Sequence, residues 1–193
     1  RAYTPRTGPT APARLAGPQK SQHSSIGRLY MAATSPERAA KPVVFLDIDG
    51  VINRTHMATH IRVDEDLIER ARQIIVGADA NVVLSTFWRH FREYITYVLH
   101  RYGIAAERVI GVTPGRSEAS MLGHSADDDA EYVNRAAEIG AWLDAHPEVT
   151  RFVVLDDRPS ASDARLAPNF VHTKSTVGLT DADVRQALKI LQG

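Results

Sequence analysis

From Lys41 onward, apolar and polar positions follow two alternating regimes. Val43-Val44-Phe45-Leu46 is an unbroken apolar run that stops at Asp47, the pattern of a short strand buried on both faces. Residues 64–76 place Leu67, Ile68, Ala71, Ile74 and Ile75 on one helical stripe, and Gly77 is a plausible stop. Val82-Val83-Leu84 is a second strand. Residues 89–102 repeat the helical spacing with Phe91, Tyr94, Ile95, Val98, Leu99 and Tyr102. Residues 108–112 predict a third strand and 113–128 a loop. A helix over about 130–145 turns Tyr132, Val133, Ala136, Ile139 and Leu143 inward. Phe152-Val153-Val154-Leu155 is the fourth strand and Phe170–Thr173 a weaker fifth. Thr180, with Asp183 three residues on, caps a last helix that buries Val184, Ala187, Leu188 and Leu191. Apolar strands alternating with helices predict an α/β, Rossmann-like three-layer fold around a mostly parallel five-stranded sheet. Right-handed crossovers bring the carboxyl ends of such strands to one edge, where ligands bind.

Residues 1–41 show neither period. They hold five of the ten prolines, mixed with Ala, Ser, Thr and Gly, and are expected to form a disordered basic tail outside a folded domain at 42–193. The tail has no apolar h-region of a signal peptide; its Arg-rich, acid-poor character is shared with transit peptides. The chain begins with Arg, and Met31 opens a more ordinary start, so residues 1–30 read as upstream sequence.

Composition narrows the chemistry. Without cysteine there is no disulfide framework, thiolate zinc site or cysteine nucleophile. No apolar run is long enough to span a membrane, and a cytoplasmic location is expected. The formal net charge of zero divides into a tail with seven basic residues and one acid and a body with 16 basic and 22 acidic residues. An acidic body suits a site that gathers carboxylates around a divalent cation.

The strand ends supply those carboxylates. Strand one ends in Asp47-Ile48-Asp49-Gly50-Val51, strand two in Ser85-Thr86, strand four in Asp156-Asp157. Four carboxylates and a hydroxyl are expected to converge in one pocket. Such acids repel unless a cation sits among them, and magnesium takes carboxylates, a carbonyl and water. Asp47 is placed to attack phosphorus, Asp49 to protonate the leaving oxygen and then activate water. Gly50 gives the tight loop that follows. Thr86 or Ser85 would hold the phosphoryl oxygens. A further cation is needed to offset charge on the transferred group; Arg135 is the first candidate, with Arg116 and Lys174 behind it.

Phe45-Leu46-Asp47-Ile48-Asp49-Gly50-Val51-Ile52-Asn53 resembles the first motif of the haloacid dehalogenase (HAD) superfamily in its phosphatase form. Val82 to Arg89 resembles the second motif, and Val153-Val154-Leu155-Asp156-Asp157 the fourth. Together with Ser85-Thr86-Phe87-Trp88-Arg89 and the helix reading Arg135-x-x-Glu138-Ile139-x-x-Trp142-Leu143, the combination is similar to the small HAD domains of "Swiss Army Knife" RNA-repair proteins. The similarity covers roughly residues 42–192. It implies that Asp47 is the nucleophile and Asp49 the acid/base. It implies a magnesium site made by Asp47, the Asp49 carbonyl and Asp156, with Asp157 nearby. Thr86 would be the second-motif hydroxyl, or Ser85 if the strand is one residue shorter. Ser85, Arg89 and Gly50 are the expected substrate-binding positions. The third motif is usually Lys, yet no Lys lies between Lys41 and Lys174, so Arg135 must stand in.

Only about 30 residues separate the first two motifs, so no large cap domain fits. Thr55–His60 and residues 113–128 are candidate flaps. The reading is a magnesium-dependent phosphomonoester hydrolase with an aspartyl-phosphate intermediate. Its substrate is a phosphate ester: an RNA or DNA end, or a nucleotide. The competing reading is a catalytically weak or inactive phosphate- or nucleic-acid-binding module, motivated by the missing Lys. Asp49 argues against a dehalogenase. His56 and His60 carry an i, i+4 spacing that suits zinc only on a helix. Trp88 and Trp142 are expected to pack, with Trp88 also able to stack on a base. Oligomeric state is left open by the sequence.

Overall fold

The computed structural model describes residues 41–55, 59–115 and 135–193. The basic tail up to Ala40, His56, Arg116, Tyr132, Val133 and most of the 113–128 loop lie outside the described residues.

Five parallel strands form one sheet in the order β3-β2-β1-β4-β5. They are β1 (Val43–Leu46), β2 (Asn81–Leu84), β3 (Val109–Val112), β4 (Phe152–Asp156) and β5 (Phe170–His172). Among the described residues, four α-helices pack on it: α1 (Glu65–Gly77), α2 (Arg92–Arg101), α3 (Arg135–Ala145) and α4 (Asp181–Gln192). Among the described residues, no helix is long and apolar enough to cross a membrane.

The side-chain parity of the strands sorts the core. Val44, Leu46, Val82, Leu84, Val153 and Leu155 meet Ile68, Ile74 and Ile75 of α1, Ile95 and Leu99 of α2, and Val184 and Leu191 of α4. Val43, Phe45, Val83 and Val154 point the other way and meet Ala136, Ile139, Trp142 and Leu143 of α3. The order reverses between β1 and β4, and α3, in the connection that crosses back, covers the opposite face from α1 and α2. Phe45 anchors the α3 side, with Trp142 edge-on at 5.3 Å.

The helix ends follow their own chemistry. Thr180 and Asp183 form a complete capping box on α4. α1 ends at Gly77, as expected, and Asp79, at φ 49°, turns the chain. The helix expected over 89–102 is two pieces. Thr86 caps a 3-10 turn at Phe87–Phe91, and α2 proper begins only at Arg92. The tighter turn shifts the phase, so Ile95 and Leu99 face inward while Phe91 and Tyr94 are exposed.

Candidate active site

Strand register builds the site. Leu46 pairs with Leu84 on one side and Leu155 on the other. Asp47, Ser85 and Asp156 therefore form the next row across three adjacent strands, held by the amides of Asp47 to Leu155 O (3.1 Å) and Ser85 to Leu46 O (2.9 Å). By parity all three side chains share the face of Phe45, Val83 and Val154, the face that α3 covers. Arg135 is the first described residue of that helix, on the flank of Ile139 and Trp142. This row lies at the strand-order reversal, where open parallel sheets form a crevice.

Asp47, Asp156 and Asp157 each bring a carboxylate oxygen within 4.8 Å of the others. The Arg135 guanidinium is buried among them. One of its nitrogens donates to Asp47 Oδ2, to Asp156 Oδ2 at 2.6 Å and to the Ser85 carbonyl at 3.1 Å. Burial opposes the guanidinium charge, but the Asp47 and Asp156 carboxylates more than offset it and hold the group above its ordinary range. Asp156 is fully buried and accepts from the Arg158 amide at 2.8 Å. Burial first, then the Asp47 charge, push its carboxyl up to about 7, while Arg135 and the Arg158 amide pull the other way. With all three acids ionised, one guanidinium leaves a local charge of −2. An all-oxygen donor set with that deficit fits a hard divalent cation, and Asp47, Asp156 and Asp157 would hold it.

Asp49 is not one of the three acids that meet. Its Oδ2 accepts from the Trp88 indole at 3.1 Å and its Oδ1 from Asn53 Nδ2 at 2.7 Å. Asp49 thus stands beside the cluster of three, its carboxylate held by Trp88 and Asn53. Gly50 makes the turn after Asp47 at φ 71°, and a Cβ there would lie 2.3 Å from Asp157 Oδ2. The Gly50 carbonyl accepts from Thr173 at 2.7 Å, and Asn53 Oδ1 accepts from the Gly50 amide at 3.1 Å.

The two hydroxyls have different tasks. Thr86 Oγ1 accepts from the Trp88 amide at 3.4 Å as the cap of the 3-10 turn. Ser85 Oγ is buried on the acid face without a hydrogen-bond partner, an orphan that a bound group would satisfy. Arg89 is engaged within the fold. It donates to Glu138 at 2.5 and 3.1 Å and to Thr113 Oγ1 at 3.0 Å, with a side chain only 13% exposed. Lys174 is exposed in the turn after β5, and Asp163 caps a turn through the Arg165 and Leu166 amides.

Asn53, Glu138, Thr113 and Thr173 were not singled out for a role by the sequence. Asn53 sits inside the first motif and Glu138 one helical turn after Arg135, which is the only signal either offers.

The model of the family described as the HAD domain in Swiss Army Knife RNA repair proteins matches residues 43–184. The chain belongs to that family. The match runs from the first residue of β1 into α4, so it covers the whole acid row and the helix that carries Arg135. Among curated proteins, none matches the chain. For a HAD domain, the acid row at the reversal point of the sheet is the natural place for chemistry, and membership suggests a phosphatase-type hydrolase.

Proposed function

We propose that this HAD domain is a magnesium-dependent phosphomonoesterase that works through an aspartyl-phosphate on Asp47, on phosphates at polynucleotide ends or on nucleotides. The observation that carries the reading is the meeting of Asp47, Asp156 and Asp157 around the buried Arg135 guanidinium.

An oxygen of Asp47 attacks phosphorus and forms the acyl phosphate as the bond to the leaving oxygen breaks. Asp49, in its acid form, gives its proton to that oxygen. Asp49 then takes a proton from water as the water oxygen attacks phosphorus, which frees phosphate and restores Asp47. Trp88 and Asn53 hold the Asp49 carboxylate in place for both transfers. Arg135 orients Asp47 and offsets charge. Ser85, whose hydroxyl is buried and unpartnered, is the better placed of the two hydroxyls to donate to a phosphoryl oxygen, and Thr86 shapes the turn. Arg89 serves as a brace between the second motif and α3. Bound magnesium, held by Asp47, Asp156 and Asp157 with the Asp49 carbonyl, supplies neutralising charge and a fixed orientation for the phosphate.

The position of Arg135 also weakens the case for a non-catalytic module, since a cation already stands between Asp47 and Asp156. The test is phosphate release from an aryl phosphate with magnesium, then a panel of 3′- and 5′-phosphorylated oligonucleotides, mononucleotides and sugar phosphates. Asp47→Asn should fold and release none; turnover by that variant overturns the mechanism.

A further inference from the structure

We infer that the groove between residues 61–63 and α2 receives the nucleoside that bears the scissile phosphate. The inference rests on the phosphomonoesterase reading and names where its leaving group lies.

The leaving oxygen takes its proton from Asp49, so the rest of the leaving group begins beside that carboxylate. Two walls flank it. One is Trp88, bonded to Asp49 Oδ2. The other is reached through Asn53: the same Nδ2 that donates to Asp49 Oδ1 also donates to the Arg62 carbonyl at 3.1 Å. Arg62 lines a groove of about 490 Å³ whose far wall is α2, with Tyr94, Tyr97 and Arg101. Asn53 thus links the proton donor to the backbone of a residue that lines the groove. Its volume falls within the ~300–1,000 Å³ common for ligand sites.

The walls state what fits. Tyr94 is 52% and Tyr97 59% exposed, and Phe91, one turn earlier, is 53% exposed. Rings left bare on one helix flank offer flat faces to a planar ligand, and every nucleobase has one. Trp88, tilted 48° to Phe91 at 6.2 Å, links that flank to Asp49. Arg62 and Arg101 outnumber Glu65 on the walls, which favours a neighbouring phosphodiester. A sugar or serine leaving group would leave all these rings uncovered.

The test compares kcat/KM for an oligonucleotide phosphorylated at one end, the matching nucleoside monophosphate, and glycerol phosphate. In Tyr94→Ala/Tyr97→Ala the preference for nucleotides over glycerol phosphate should fall about 5- to 150-fold, mainly through KM. A Tyr94→Leu/Tyr97→Leu protein, which keeps apolar cover, should show the same fall. An unchanged preference overturns the groove assignment, as does faster turnover of a phosphotyrosine peptide than of either nucleotide. Either nucleotide form leading the other supports the assignment and names the source, strand end or free nucleotide. Anisotropy of a labelled, phosphorylated oligonucleotide on Asp47→Asn separates the two readings. Tyrosine-dependent binding with no turnover of any ester by the native protein upholds the groove and sinks the hydrolase; turnover with a tyrosine-independent preference does the reverse.

Discussion

Replacing Arg135 with Met keeps the length of the side chain and removes the charge. The guanidinium is 5% exposed, and its partners Asp47 and Asp156 are 3% and 0% exposed. Removing it leaves two buried carboxylates facing each other and the Ser85 carbonyl without its donor. Breaking a buried ion pair from one side costs about 3–5 kcal/mol. For a body of this size that corresponds to a fall in Tm of roughly 6–20 °C. The assay is thermal or urea unfolding in EDTA, then again with magnesium. Magnesium bound to the folded state alone adds about 2.7 kcal/mol at a hundred times its Kd. The variant lacks the cation that competes for the same carboxylates, so its magnesium increment should exceed that of the native protein. A loss below about 1 kcal/mol in EDTA, or no magnesium increment in either protein, would refute the reasoning that a cation must sit among these acids.

Gly50→Ala forces a side chain into the left-handed region, at about 1–2 kcal/mol, and drives its Cβ into Asp157; magnesium affinity by calorimetry should drop with stability. Glu138→Gln strands the largely buried Arg89 charge and should cost about 1–3 kcal/mol by urea unfolding. In EDTA, Asp156 binds its proton more tightly folded than unfolded, so its contribution to stability falls as pH rises from about 4 to about 7. Unfolding free energy across that window should show the decline, and saturating magnesium should remove it.

The central strands were legible because a strand covered on both faces must be apolar at every position, as β1 and the Val153–Leu155 stretch of β4 are. The meeting of Asp47 with Asp156 followed from the same reading, since neighbouring parallel strands in register bring their carboxyl ends to one row. The phase of the segment after Thr86 was not legible, because a hydroxyl cap and a 3-10 turn redirect the helix without altering its hydrophobic spacing. Nor was the fate of Asp49: alternation fixes direction only inside a strand, and its partner Trp88 lies 39 residues away. The pairing of Arg89 with Glu138 spans 49 residues and leaves no local trace.

β1 is the first strand of the sheet to be made, yet it lies between β2 and β4, so Asp47 meets Asp156 only after the fourth strand has been synthesised. A chain interrupted before β4 can present the nucleophile's strand but not the assembled row of acids, nor the Thr173 hydroxyl that clasps the Gly50 carbonyl. Competence to capture a dication would thereby wait until the fourth strand has joined the sheet, which makes metal uptake a natural reporter of an assembled domain.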